Sequence, residues 1–524
     1  MSKKLSDAGF NPDSNGHLTS NSENINKIKN LLNATGPGFC LAKFNQVTMH
    51  LGTGLTHACH HPPAHKVPLE ELADNPAALF NTKHLKEARR EMLSGQRPKE
   101  CDYCWRVEDN EQGNSDRYYK SIEPWALWSH DEVKEKGFDV DYFPSYLEVD
   151  FSNACNFSCT YCGPEYSSTW AENLKSKGPI KVLENTPHVQ WVQGWQKDLN
   201  NLSYKHREFN PYLDAFWKWF PEAYKHLKVY RITGGEPLLS KETFKSMDWF
   251  LENPNTELEF SINSNLGVPD KLWDQFIEKI NQLTKNNSVK KFTVFTSVDC
   301  WGEQAEYIRP GLDFELFKKR YEQLLQLDNV RAVIMCTFNI FSITSIQKLF
   351  EWHLVMRKRY NNNSTRARME TDTGFSLSVD GMPINVRMEK NSNHFATAGL
   401  DIPYLRSPSC LDAQFADREL VQNYLIPAMH YMAENTTSNP WNMHQGFEEY
   451  ELDKFKRVVT NIMYFVSNTE HQDDKSVLIN RAKFYDFVND IDVRFGRKFL
   501  ETFPEMENYY NLCRDANLQI KNNV

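Results

Sequence analysis

The segment Tyr146-Leu-Glu-Val-Asp150-Phe-Ser-Asn-Ala-Cys155-Asn-Phe-Ser-Cys159-Thr-Tyr-Cys162-Gly163 runs a strand-like stretch directly into three thiols spaced C-x3-C-x2-C. A cubane [4Fe–4S] cluster has four irons and is ordinarily closed by four thiolates. A loop that supplies only three leaves one iron open to a substrate or cofactor, which is a catalytic arrangement. The alternatives are unrelated thiols or a zinc knuckle, but zinc needs a fourth Cys or His to close its tetrahedron. No histidine lies near the triad.

Downstream, Lys228–Thr233, Glu257–Asn263, Lys291–Val298 and Val330–Phe338 concentrate Val, Ile, Phe and Leu over a strand's length. Amphipathic helical candidates alternate with them at Lys241–Glu252, Asp270–Leu283, Phe314–Leu327 and Ile343–Arg359. Such alternation predicts parallel strands joined by helical crossovers, with the active face at the carboxyl ends of the strands. Thr233-Gly-Gly-Glu-Pro237 follows the strand Lys228–Ile232, where glycines permit close backbone approach and a carboxylate can accept from an ammonium.

The triad, with Tyr161 before its last cysteine, resembles the signature of the radical S-adenosylmethionine (SAM) superfamily. The resemblance implies a partial, open (β/α)6 barrel whose fourth cluster iron is chelated by SAM. It makes Cys155, Cys159 and Cys162 the catalytic metal ligands, counts Tyr161 among the cofactor-binding residues, and gives Gly234, Gly235 and Glu236 the SAM amino group. Ser261-Ile-Asn-Ser-Asn265 is similar to a Thr-Asn-Gly strand ending of the superfamily in position only. Thr296-Ser-Val-Asp299 resembles a ribose-binding Ser-x-Asp segment, so Ser297 and Asp299 are candidates, with strand-end capping as the alternative. Arg309, in Tyr307-Ile-Arg-Pro-Gly311, stands where relatives place an arginine for the SAM carboxylate; an ion pair is its alternative. Asn339 is a candidate for the adenosine end.

A second cysteine set, Cys40, Cys59, Cys101 and Cys104, has the pattern C-x18-C-x41-C-x2-C, enough to complete an Fe–S cluster or a zinc site. Its Phe39-Cys40 opening, the helix ending Met92-Leu-Ser-Gly95 and the closing C-x2-C-Trp resemble a twitch domain, the shortened SPASM module of radical SAM enzymes. This module ordinarily follows the barrel, and here it precedes it. The resemblance implies an auxiliary [4Fe–4S] cluster. Zinc remains the rival, because His57, His60, His61 and His65 crowd Cys59. Cys300, Cys336, Cys410 and Cys513 read as buried small apolar residues.

The organisation expected is a flexible leader over residues 1–30, a twitch-like domain over 31–115, a connector over 116–144, the barrel over 145–400 and a helical extension over 401–524. Within the barrel, an aromatic insertion occupies about 165–225, with Trp170, Trp191, Trp195, Trp217 and Trp219 as core rings or a cap on the cavity. A net charge of −9 argues against a general electrostatic grip on nucleic acid. No apolar run approaches the roughly eighteen residues of a membrane span, and eleven cysteines at metal-like spacings suit a reducing cytoplasm.

The functional expectation is an oxygen-sensitive radical SAM enzyme, reduced by a donor such as flavodoxin or ferredoxin, that abstracts a hydrogen from a peptide or protein. A carbohydrate, nucleotide or other small metabolite is the alternative substrate. A non-catalytic Fe–S or zinc scaffold or redox protein is the alternative class.

Overall fold

The computed structural model describes residues 10, 18, 21–110, 113–180, 182, 204, 208–364, 376–379, 382–385, 397–437, 445–469 and 474–522. The chain is mixed α/β, and nine mostly parallel strands carry the fold. It divides into two compact units, Met1–Ala154 with Asn200–Ile262 and Asn286–Lys291, and Cys155–Leu199 with Asn263–Lys285 and Phe292–Val524.

In the first unit, β1 (Gln46–His50) pairs in parallel with β4 (Tyr146–Asp150), and β2 (Leu55–His57) and β3 (His65–Lys66) extend the β1 side in antiparallel fashion. On its other side β4 pairs in parallel with β5 (Val229–Thr233), and β5 with β6 (Asn255–Ser264). The cysteine-rich N-terminal segment therefore shares a sheet with the strand that precedes the triad. The register brings His50, Asp150 and Thr233 into one row at the carboxyl ends of β1, β4 and β5.

Helix Ser22–Thr35 occupies the end of the expected leader. Asn21 caps it by accepting from the Asn24 N–H, and its stripe of Ile25, Ile28 and Leu32 is buried. Three apolar residues among Ser, Asn and Lys are enough for a helix once they have a core to enter.

In the second unit β7 (Val289–Ser297), β8 (Val330–Met335) and β11 (Ala398–Asp401) pair in parallel in the order β7-β8-β11. A separate antiparallel pair joins β9 (Ser376–Val379) to β10 (Met382–Asn385). Strand β8 stops three residues before the expected Phe338, and the Asp299 carboxylate accepts from the Thr337 N–H just beyond it at 3.0 Å. The C-terminal region is helical, with long helices at Glu449–Thr469, Lys475–Phe495 and Glu507–Asn522. Gly496, at φ +65°, ends the second of these. Among the described residues no helix is long and apolar enough to cross a membrane.

One buried ion pair ties β11 to this helical region. Arg357 and Glu451 are both almost fully buried, and Glu451 also accepts from the Leu400 N–H at 3.1 Å and the Glu448 N–H at 2.9 Å. Glu451→Ala strands the guanidinium in a low-dielectric core, which costs about 3–5 kcal/mol. Chemical denaturation is expected to show that loss, with Glu451→Gln intermediate.

Candidate functional site

In the second unit the triad loop is held along almost its whole backbone. Asn156 donates to the Gly267 carbonyl at 2.9 Å and accepts from Asn265 at 3.0 Å, while the Ser158 and Thr160 N–H groups donate to the carbonyls of Pro310 and Ile308. Phe157 is buried against two glycines: a Cβ on Gly267 would lie 2.4 Å from its ring, and one on Gly311 would lie 2.7 Å away. Gly311 sits at φ +111°, so both space and backbone conformation call for glycine there. After the triad, Ser167 caps helix Ser168–Lys177 and also donates to the Phe157 carbonyl. Ser168 and Thr169 donate to the Cys155 carbonyl, and buried Trp170 donates its indole N–H to the Cys159 carbonyl at 2.8 Å. The Ser-Ser-Thr run before a helix was the sequence signal for these anchors.

All three triad cysteines are half-buried residues. Burial raises the pKa of Cys159, opposed chiefly by the Arg309 guanidinium. Cys162 is raised well above the ordinary thiol value by burial, reinforced by Cys159 and Cys155. Holding all three as thiolates therefore requires compensating positive charge.

Arg309 supplies some of it. Its Nη1 donates to the Cys159 Sγ at 3.5 Å, while Nε and Nη2 clamp the Asp299 carboxylate at 2.8 and 2.9 Å. The Tyr161 hydroxyl donates to the same carboxylate and takes a bond from Arg309. The guanidinium's burial opposes its charge, but Asp299, Tyr161 and Cys159 together raise its pKa well above the ordinary value. Asp299 and Arg309, expected at the SAM ribose and carboxylate, thus form a closed ion pair with each other. Asn339 is fully buried and caps the turn Ile340–Ser342. Ser297 is the last residue of β7.

In the first unit the Gly234–Glu236 turn lies against the chain that leads into Cys155. Gly235 N–H donates to Ser152 at 3.3 Å and Glu236 N–H to Ala154 at 2.7 Å. A Cβ on Gly234, at φ +114°, would lie 2.3 Å from Asp150 Oδ1, and one on Gly235 would lie 2.3 Å from the Ala154 carbonyl oxygen. Glu236 is buried and accepts from the Leu238 N–H at 3.1 Å. Asp150 is buried beside it, with Oδ2 at 3.3 Å from His50 Nδ1 and Oδ1 unpartnered.

The other four cysteines come from separate pieces of chain and line one cavity. Cys40, Cys59, Cys101 and Cys104 share it with Lys43, His61, Asp116, Arg117 and Lys120, around about 420 Å³ including its open side. Gly38 sets the approach to Cys40, since a Cβ there would lie 1.9 Å from the Gln96 carbonyl oxygen. Cys101 ends the turn Lys99–Cys101 and Cys104 lies on helix Asp102–Asp109. Trp105 packs between Arg97 and Arg117. Burial pushes Cys101 and Cys104 up to about 12. Buried Lys43 is opposed by its own desolvation, but Cys101, Glu100 and Cys40 hold it charged and raise its pKa. Among the described residues the four cysteine sulfurs do not form a group with metal-ligand spacing. A single tetrahedral zinc ion, with Zn–S near about 2.3 Å, would need them about 3.8 Å apart.

Cys300, Cys336, Cys410 and Cys513 are buried. Trp170, Trp217 and Trp219 pack inside their units, Trp217 also donating to Glu242 at 2.8 Å. Trp191 and Trp195 lie outside the described residues. No family model, no curated protein and no solved structure matches the chain.

Glu165, missed in the sequence, lies just after the triad. Burial raises its carboxyl to about 7 and leaves Oε2 without a partner. Its folded pKa lies above the unfolded value, so its protonated form supports the fold below about pH 4.5, and that support is lost as pH rises towards 7. Denaturation of the metal-free chain at several pH values is expected to show this decline, and Glu165→Gln to flatten it.

Proposed function

We propose that the chain is a radical SAM enzyme carrying two iron–sulfur clusters. The observation that supports this most is the pairing of β4 with β5: the first leads into the thiol triad, the second ends in Gly234-Gly-Glu236, and their continuing backbones remain hydrogen-bonded. Cys155, Cys159 and Cys162 would hold the barrel cluster, and Gly234, Gly235 and Glu236 the amino end of SAM. When bound, that pair of cofactors supplies a 5′-deoxyadenosyl radical able to remove hydrogen from an unactivated carbon.

Parallel pairing of β4 with β5 and of β5 with β6 in the first unit, and of β7 with β8 and of β8 with β11 in the second, with helices in the intervening chain, supports the reading of a partial (β/α)6 barrel. In this reading Arg309 and Asp299 act on the protein side of the site. The guanidinium offsets negative charge at Cys159, and Asp299 fixes the guanidinium and the Tyr161 hydroxyl.

Cys40, Cys59, Cys101 and Cys104 would hold the auxiliary cluster. Four soft donors lining one cavity suit iron–sulfur ligation. Lys43, Arg117 and Lys120 supply the compensating positive charge.

Anaerobic loading with iron and sulfide tests both assignments together. The full chain is expected to take up about eight irons, and the variant with Cys155, Cys159 and Cys162 all replaced by Ala about four. Addition of SAM should change the electron paramagnetic resonance spectrum of the reduced protein, and should leave that of the triple variant unchanged. Four irons with one zinc in the intact chain would contradict the auxiliary-cluster assignment.

A further inference from the structure

Beside the four cysteines, a separate set of donors converges without any sulfur. His61 Nε2 lies 2.7 Å from Asp116 Oδ2, and His60 Nε2 lies 3.5 Å from the same oxygen. The three atoms all fall within 4.8 Å of one another, and this is the one such group of His, Cys, Asp and Glu among the described residues.

Two of the three side chains, His61 and Asp116, are positioned by packed surroundings. The His61 ring stacks on Tyr103 with centroids 3.8 Å apart and planes 12° apart. Asp116 opens helix Asp116–Ser121, and the next residue, Arg117, is clamped by Glu108, by the Phe39 carbonyl and by Asn33. His60 has a side chain 52% exposed, so one side of the set faces solvent.

Two imidazoles and one carboxylate form a nitrogen–oxygen donor set that suits borderline divalent ions and leaves coordination positions open. Donors about 2.0–2.2 Å from one ion lie about 3–3.5 Å apart, and the two separations from Asp116, 2.7 and 3.5 Å, lie within a few tenths of an ångström of that range.

We propose that His60, His61 and Asp116 bind one divalent transition-metal ion of the zinc or iron(II) class, with open positions for water or an oxygen- or nitrogen-bearing ligand. This site uses none of the four cysteines, although His61 and Asp116 also line their cavity. It stands whatever those cysteines hold.

The test is titration of the full chain, anaerobically loaded with iron and sulfide, with Co²⁺ as the probe. Cobalt held by nitrogen and oxygen shows weak d–d absorption without a thiolate-to-cobalt charge-transfer band, so the spectrum separates this site from any free cysteine site. The expected result is one such Co²⁺ per chain, displaced by Zn²⁺, with affinity at least about tenfold weaker in both His60→Ala and Asp116→Asn. His60 is largely exposed, so H60A keeps the test readable if D116N fails to fold. Absence of Co²⁺ binding, binding that shows only the thiolate spectrum, or an affinity unchanged in H60A would overturn the proposal.

Discussion

The close approach of two backbones, Asp150–Ala154 and Gly234–Glu236, governs the carboxyl ends of β4 and β5. Parallel pairing of β4 with β5 ends with Asp150 opposite Thr233, yet the two chains stay hydrogen-bonded beyond it through Ser152 and Ala154. Neither glycine has room for a side chain, because a Cβ at either position would fall 2.3 Å from an oxygen of the facing chain. The glycine pair is therefore required by the fold itself, before any ligand is considered. The approach also fixes where the chain stands as it enters Cys155, and buries Glu236 in the turn that follows.

Charge compensation is the second constraint, and it recurs at both cysteine sets. Thiols packed into protein resist ionisation, and nearby cations favour the thiolate that ligates metal. Arg309 reaches Cys159 in one unit, and Lys43, Arg117 and Lys120 line the cavity in the other. Arg309, Lys43 and Arg117 are in turn held by Asp299, Glu100 and Glu108. The positive charge is thus fixed in place, and a fixed charge acts on a ligand without first paying to reorganise.

The α/β pattern was legible because Val, Ile and Phe cluster at strand length between amphipathic stretches; helix Lys241–Glu252 has the bounds its pattern predicts. The four N-terminal cysteines were legible from their spacing alone, and they line one cavity. Other features were hidden for physical reasons. Helix Ser22–Thr35 sits in a polar stretch whose three buried residues matter only once a core receives them. Arg309 and Asp299 read as ligand groups because nothing in their spacing says that they face each other; their pairing is a tertiary fact. Phe157, Gly267 and Gly311 form one cradle from three separate loops, which periodicity cannot register. Asn339 carried no sign that its side chain would be spent on a cap.

Turnover of SAM tests the central claim most directly. After anaerobic loading with iron and sulfide and reduction with dithionite, the chain should release 5′-deoxyadenosine and methionine from SAM, and the variant lacking the three triad thiols should release neither. An intact chain with its iron in place that forms no more 5′-deoxyadenosine than that variant would contradict the account.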